Sequence, residues 1–178
     1  KEDPVRMIRA IRFKVKLGAT IDPKISKSIS NLAYLLANIP AARLYDECIK
    51  LFHNENAYEV FEQLLKYGLL NYLFPQTEET SFINKTLLNT SKRIKNDKPV
   101  TPAFLFAVFL WDAQNKRFNE LNKKKKSRFL IMTQASEDVI RKQTEQVLMP
   151  RWLSARVKDI WLMQNQLDNC SIKKAKEL

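Results

Sequence analysis

The sequence has only two glycines among its 178 residues, Gly18 and Gly68. A dinucleotide-binding fingerprint needs three glycines within six residues, and a Walker phosphate-binding loop needs two close together, so neither motif can be assembled here. An all-β domain with many tight turns would also need more glycine. The scarcity of glycine therefore favours a helical protein built largely from good helix-forming residues.

Cysteine and histidine are also scarce. The two cysteines, Cys48 and Cys170, are far apart and form no CxxC pair, and His53 is the one histidine. This excludes a disulfide framework and a zinc site built from cysteine or histidine, and we expect His53 to lie at a helix end. We see no signal peptide, and the longest apolar run, 103–111, is too short to span a membrane. A reducing cytoplasmic location and no membrane partner are therefore expected.

The sequence is rich in positively charged residues. There are 31 lysines and arginines against 19 aspartates and glutamates, which gives a formal charge of +12. The cations cluster in 1–17, in 123–128 and near the end of the chain. Such clustering favours a polyanionic partner, and RNA or DNA fits better than a membrane because no segment pairs a lysine-rich face with exposed aromatics. The alternative is a basic protein that is simply soluble.

Helix-boundary residues divide the chain into short segments. Asp22 can cap a helix that starts at Pro23, and Gly18 and Gly68 can each end one. We predict an all-α fold, a multi-helix array with short connections. The predicted helices cover 3–17, 23–39, 41–53, 56–67, 80–95, 103–111, 129–148 and 151–167. An apolar connector is expected at 69–75, and the helicity of 112–126 is left open.

Apolar spacing predicts which side chains face inward. In the second and fifth helices these are Ile25, Ile29, Leu32, Leu36, Phe82, Leu87, Leu88 and Ile94. In the third helix they are Leu44, Cys48, Leu51 and Phe52. Trp111, Trp152 and Trp161 are expected in the core rather than in base-stacking positions.

The first helix carries a row of charged side chains. Asp3, Arg6 and Arg9 are each three residues apart, so they lie side by side on one helix face. A carboxylate beside two guanidiniums suits the edge of a nucleobase and a nearby phosphate. The alternative is a capping aspartate that pairs with an arginine of its own helix, beside a solvated basic face.

Several segments resemble one enzyme family. Residues 2–13 read EDPVRMIRAIRF, which resembles the EDPxRxxRAxRF motif of the class II nucleotidyltransferases, the family of the bacterial poly(A) polymerases and CCA-adding tRNA enzymes. Residues 39–47, IPAARLYDE, are similar to the helix that follows in this family. The segment RIKNDKPVTPAFLFA at 93–107, with MPR at 149–151 and DIW at 159–161, resembles the poly(A) polymerase branch.

The resemblance implies neck helices that recognise the nucleotide, at 1–70, followed by a helical RNA-binding body at 71–178. In this family a catalytic head binds two Mg²⁺ ions and transfers a nucleotide from an NTP to an RNA 3′ end. By resemblance, Asp3 and Arg6 would hydrogen-bond the base of ATP, and Arg9 would support the site or meet phosphate. Arg12 would hold the neck together or contact RNA.

The sequence departs from the family at its start, since it opens on the neck motif. We therefore expect a fragment that lacks the head, holds no catalytic residue and no metal ligand, and is inactive alone. The adjacent acidic pairs 78–79 and 137–138 are expected to be solvated. The partners implied are RNA 3′ ends and the protein's own head.

The densest basic run is Lys123, Lys124, Lys125 and Lys126, followed by Arg128. It is predicted either to contact RNA phosphates or to be a solvated loop. A second basic patch, Lys92, Arg93 and Lys95, has the same two interpretations. A CCA-adding enzyme and a non-catalytic helical RNA-binding module remain the alternatives to a poly(A) polymerase.

Overall fold

The computed structural model describes residues 3–122 and 127–167, with side chains as far as Gln164. Within these ranges it contains ten α-helices, one 3₁₀ helix and no strand, which confirms the predicted all-α fold. The α-helices are α1 Val5–Leu17, α2 Pro23–Leu32, α3 Ala41–Phe52, α4 Ala57–Lys66, α5 Leu70–Leu73, α6 Ser81–Lys95, α7 Pro102–Phe109, α8 Trp111–Leu121, α9 Arg128–Gln146 and α10 Arg151–Leu167. A 3₁₀ helix, Ala33–Asn38, follows α2 directly.

The helix boundaries follow the predicted boundary residues. The side chain of Asp22 accepts a hydrogen bond from the backbone N–H of Lys24 at 2.8 Å, and Pro23 opens α2. Gly18 ends α1 with φ of 61°, a left-handed conformation that favours glycine. His53 lies at the end of α3, as expected.

The core is a single cluster of buried side chains that extends to both sides of residue 70. At its centre Phe109 lies with its ring centroid 4.7 Å from that of Phe52 and 4.7 Å from that of Phe74. Trp161 is fully buried, and its indole N–H donates to the carbonyl of Ala107 at 3.1 Å, which joins α10 to α7. The boundary near residue 70 stays a prediction.

The predicted second helix is wrong in its later half. It ends at Leu32 and continues as the 3₁₀ helix, which has three residues per turn instead of 3.6. Ile25, Ile29 and Leu32 all lie within α2, so the 3₁₀ helix alters only the direction of Leu36, and the burial of the other three depends on which side of α2 the neighbouring helices cover. Ile29 and Leu36 are buried, but Ile25 is 55% and Leu32 42% exposed.

Other apolar positions also differ from prediction. Phe82 and Leu88 on α6 are exposed, and Trp152 on α10 is 54% exposed, because the helices around them cover only one side of each element. The expected connector at 69–75 contains the short helix α5, and in the segment of uncertain helicity residues 112–121 belong to α8. The inward positions predicted on α3 are all buried.

Two further sequence predictions concern cysteine and membranes. Cys48 is a buried free thiol whose pKa is raised by burial and by the nearby Glu47 carboxylate, and Cys170 lies outside the described residues. Among the helices in the described part of the chain, none has the length and apolar character needed to cross a bilayer.

Candidate functional site

Two members of the predicted charged row, Arg6 and Arg9, lie on α1, and Asp3 lies two residues before the helix begins at Val5. This helix buries Val5, Ile8 and Ile11, and it packs against α3 and α4. Because those residues face the core, the opposite, polar face of α1 points toward the solvent. Arg6 is exposed there, and the side chain of Arg9 is 43% exposed. The row is therefore within reach of a ligand.

Asp3 joins the start of α1 to α3. Its Oδ1 accepts a hydrogen bond from the backbone N–H of Val5 at 3.2 Å, and its Oδ2 accepts one from the guanidinium of Arg43. The N-cap residue of α1 is Pro4, so Asp3 bonds the first N–H of the helix from the position before the cap, and the arginine that it bonds belongs to α3 rather than to its own helix. Partial burial alone would raise the pKa of Asp3, but these hydrogen bonds and the charges of Arg43 and Arg9 outweigh it and lower the pKa below its ordinary value.

Arg9 is held by a carboxylate of α3. Its Nε and Nη2 donate to Oε1 of Glu47 at 3.1 Å and 2.7 Å. Lys50 donates to the same oxygen at 3.4 Å, and Arg12 Nη1 lies 3.8 Å from Oε2. Since Glu47 is 2% exposed, one buried carboxylate faces three cations.

The electrostatic balance at Glu47 keeps it ionised. Burial by itself raises the pKa of a carboxyl group. The hydrogen bond from Arg9 and the charges of Lys50 and Arg9 exceed that effect, so the pKa of Glu47 is lower than its ordinary value. The same contact raises the pKa of Arg9. The Asp3–Arg43 and Arg9–Glu47 pairs therefore tie α1 to α3 at two points.

The structure can place only some of the predicted RNA-binding residues. Lys123, Lys124, Lys125 and Lys126 lie outside the described residues. Arg128 is exposed at the start of α9, with its guanidinium 5.6 Å from the centroid of the Phe118 ring. Arg12 is close to Glu47, as described above.

The second basic patch lies at the end of α6. Lys92, Arg93 and Lys95 are all exposed there, and Arg93 also donates to the carbonyl of Pro99 at 3.1 Å.

Sequence reasoning did not assign roles to Arg43 and Glu47. A signal for Glu47 was present, because it falls on the apolar face of α3 together with Leu44, Cys48 and Leu51. A carboxylate on a buried helix face needs a cationic partner. The spacing of α3 alone does not show that this partner is Arg9.

The acidic residues of the described part do not form a metal site. No group of three or more His, Cys, Asp or Glu side chains there could hold an ion. Glu78 is exposed and pairs with Lys116 at 2.5 Å, and Asp138 pairs with Arg117 at 2.8 Å. These carboxylates do not fit a magnesium site, so no chemical step is assigned to a metal here.

Comparison with known proteins gives two family matches. Residues 18–80 match a family model described as the probable RNA and SrmB-binding site of polymerase A, and residues 124–178 match one described as the polymerase A arginine-rich C-terminus. The α1 row precedes the first matched region.

Curated relatives extend the likeness to α1. The chain is 36% identical to Poly(A) polymerase I of Salmonella typhimurium over 192 aligned residues, which cover 100% of this chain and 41% of the relative. It is 34% identical to Poly(A) polymerase I of Haemophilus influenzae, over 94% of this chain and 39% of the relative. A CCA-adding enzyme of Leuconostoc mesenteroides is 37% identical over 46% of this chain and 21% of that enzyme.

The chain spans about two fifths of the length of the poly(A) polymerases that it matches. The two family models together match more than half of its residues, and the alignment with the Salmonella protein covers all of it. The resemblance inferred from the sequence motifs is thereby confirmed, and the chain belongs to the family of the bacterial poly(A) polymerases.

Proposed function

We propose that this chain is the part of a bacterial poly(A) polymerase that selects ATP and holds RNA while AMP is added to the RNA 3′ end. The observation that carries the proposal is the charged row of α1, exposed on one side and tied on the other side to α3 through Arg43 and Glu47. A surface that recognises a planar base must hold its donors and acceptors in fixed directions. The two cross-helix pairs supply that fixation.

The row matches the chemistry of adenine. Adenine offers an exocyclic amine that donates and ring nitrogens that accept. The Asp3 carboxylate has about four acceptor positions, of which Val5 and Arg43 use two, so it can also accept from the amine. Arg6, one turn further along α1, would donate to a ring nitrogen. Because protein groups make both contacts, ATP can be chosen without a nucleic-acid template.

Arg9 and Arg12 are proposed to have different roles from Asp3 and Arg6. Arg9 is anchored to Glu47 through Nε and Nη2, so we assign it to positioning the row, and its remaining N–H groups could donate to a phosphate of ATP. Arg12 contributes to the same charge cluster and extends the basic surface toward the RNA.

The phosphoryl-transfer chemistry is proposed to come from carboxylates outside these 178 residues. Nucleotide transfer from ATP uses metal ions, here Mg²⁺, that stabilise the developing charge when bound. The described residues provide no such cluster. We therefore propose that a catalytic head of the same protein docks beside the exposed row, in the cytoplasm, and that these residues alone do not catalyse the reaction.

RNA is the proposed partner of the basic surface. The formal charge of +12 favours phosphate binding, and the description of the model that matches 18–80 names RNA. The basic run 123–126 with Arg128, and the patch at the end of α6, are proposed to contact RNA phosphates. Their affinity for RNA should fall linearly as the logarithm of salt concentration rises.

The experiment is nucleotide addition by the intact protein. Generic RNA and a tRNA that ends before CCA are each offered ATP alone, CTP alone or both. We expect long extension of the generic RNA with ATP and none with CTP. Addition of CTP to the tRNA would instead support the CCA-adding activity that the Leuconostoc match suggests. RNA binding without any nucleotide addition would support a non-catalytic module.

A further inference from the structure

A groove of about 630 Å³ lies beside the second half of α1. It is bounded by α1, the end of α3, the loop that follows α3, and side chains of α4 and α6. Its polar and aromatic lining includes Arg12, Phe13 and Lys16 of α1, Lys50 of α3, and Glu55. This groove is separate from the Asp3 end of α1.

The groove is electropositive. Arg12, Lys16 and Lys50 line it, while the acidic side chain in its lining is Glu55. Glu47 lies buried beside it, but that single carboxylate already faces Arg9, Arg12 and Lys50. The cations therefore exceed the nearby anions, which favours an anionic ligand.

Phe13 adds a flat apolar surface to this charge. The residue is 48% exposed although it belongs to a well-packed helix, and the Arg12 guanidinium lies 5.1 Å from the centroid of its ring. An aromatic face next to cations is the combination by which proteins bind single-stranded nucleic acid: a base stacks on the ring, and the cations meet the phosphates.

We propose that this groove binds one unpaired nucleotide of the RNA, with the base stacked on Phe13 and the flanking phosphates held by Lys16 and Lys50. The proposal rests on RNA being the substrate, as argued above. Phe13 is seven residues after Arg6, and at the helical rise of about 1.5 Å per residue the two lie about 10 Å apart along α1. The groove therefore holds a nucleotide of the RNA upstream of the 3′ end, while the Asp3 end of α1 reads ATP.

The test measures the affinity of the intact protein for a fluorescent single-stranded oligoadenylate by anisotropy, at several salt concentrations. Phe13→Ala should weaken binding by about 5- to 150-fold, the equivalent of one stacked base. Phe13→Trp should restore binding to near the unmodified value. The matched control is Phe82→Ala, since Phe82 is a similarly exposed phenylalanine, at 45%, outside the groove.

Two further measurements separate the base from the phosphates. On an abasic strand of equal length, Phe13→Ala should have no effect, because there is no base to stack. The double variant Lys16→Gln with Lys50→Gln should reduce the slope of log affinity against log salt by about two, one for each phosphate contact. The control pair is Lys85→Gln with Lys142→Gln, two exposed lysines elsewhere.

If Phe13→Ala binds oligoadenylate as Phe82→Ala does, or loses equal affinity for the abasic strand, the groove proposal is overturned. If the slope of log RNA affinity against log salt concentration is unchanged in the Lys16→Gln, Lys50→Gln variant, the proposal is also overturned. This is the result expected if the groove binds an acidic protein segment instead of RNA. Continued AMP addition in these cases leaves the proposed function standing. If the unmodified protein neither binds RNA at low salt nor extends it, both proposals fail.

Discussion

Glu47 of α3 accepts the Nε and Nη2 hydrogens of Arg9 of α1 through one carboxylate oxygen, at 3.1 Å and 2.7 Å. The carboxylate is almost fully buried, whereas the arginine is partly exposed. A buried anion thus fixes the rotation of α1 and holds a guanidinium at the surface. At the start of the helix the roles are reversed, since Arg43 of α3 is a partly exposed cation that donates to the carboxylate of Asp3.

Glu47→Gln is expected to destabilise the protein by about 1–3 kcal/mol. The amide removes charge-assisted hydrogen bonds and leaves three cations without their shared anion. Chemical denaturation measures the free energy of unfolding. Glu59→Gln, at an exposed position of α4, serves as the control and should change stability by no more than about 0.5 kcal/mol. Equal effects of the two substitutions would show that the cluster does not stabilise the fold.

Lowering the pH should reduce the stability of the protein, because it protonates the carboxylate of Glu47. The pKa of Glu47 is lower in the folded state than its ordinary value of 4.5, so its contribution to stability is present above about pH 4.5 and is lost as the pH falls through the folded pKa. Thermal melts between neutral pH and pH 3 should show a steeper loss for the unmodified protein than for Glu47→Gln. Parallel curves for the two proteins would contradict this assignment.

The substitution Arg43→Ala tests whether Arg43 positions the Asp3 carboxylate rather than stabilising the fold. Its pair with Asp3 is partly exposed, and such pairs contribute about 0–1 kcal/mol, so the melting temperature should change little. Loss of the contact frees the Asp3 carboxylate to move, and the KM for ATP in AMP addition should rise about tenfold, equivalent to 1.4 kcal/mol. Arg43→Lys should recover part of the loss. A KM that is unchanged in Arg43→Ala would remove Arg43 from the site.

Trp161→Ala should destabilise the protein by about 3–5 kcal/mol, because it leaves a large cavity between α7 and α10 and removes the hydrogen bond to Ala107. Trp152→Ala, on the same helix but 54% exposed, is the matched control and should cost far less. Urea unfolding of both variants gives the comparison. Similar losses would mean that α10 does not pack as described.

The helices could be predicted because their signals are local. Asp22 before Pro23 and the left-handed Gly18 act within one turn of the backbone, and both boundaries are observed. The exposure of Ile25 and Leu32 could not be predicted in this way. It depends on which helices pack against α2, and the spacing of apolar residues along α2 does not specify those neighbours.

The candidate site shows the same division. The side-by-side placement of Arg6 and Arg9 follows from helix geometry, and Asp3 is joined to them by the turn that precedes α1, in which the backbone N–H of Arg6 donates to the carbonyl of Asp3. The partners of Asp3 and Arg9 are about 40 positions away in the sequence, on α3, and become neighbours only through the packing of α1 against α3. A buried glutamate on an apolar face was a signal that a cation must meet it, but choosing Arg9 required the structure.

The most direct measurement is the ratio of kcat/KM for ATP to that for CTP, determined with the intact protein on generic RNA. We expect Asp3→Ala and Arg6→Ala each to lower this ratio by about ten- to a hundredfold, since each contact removed is a hydrogen bond to a charged group. RNA affinity should stay near its unmodified value, and Arg151→Ala, at an exposed site on α10, should leave the ratio unchanged. A ratio that is the same in all four proteins would contradict the claim that α1 reads the base of ATP.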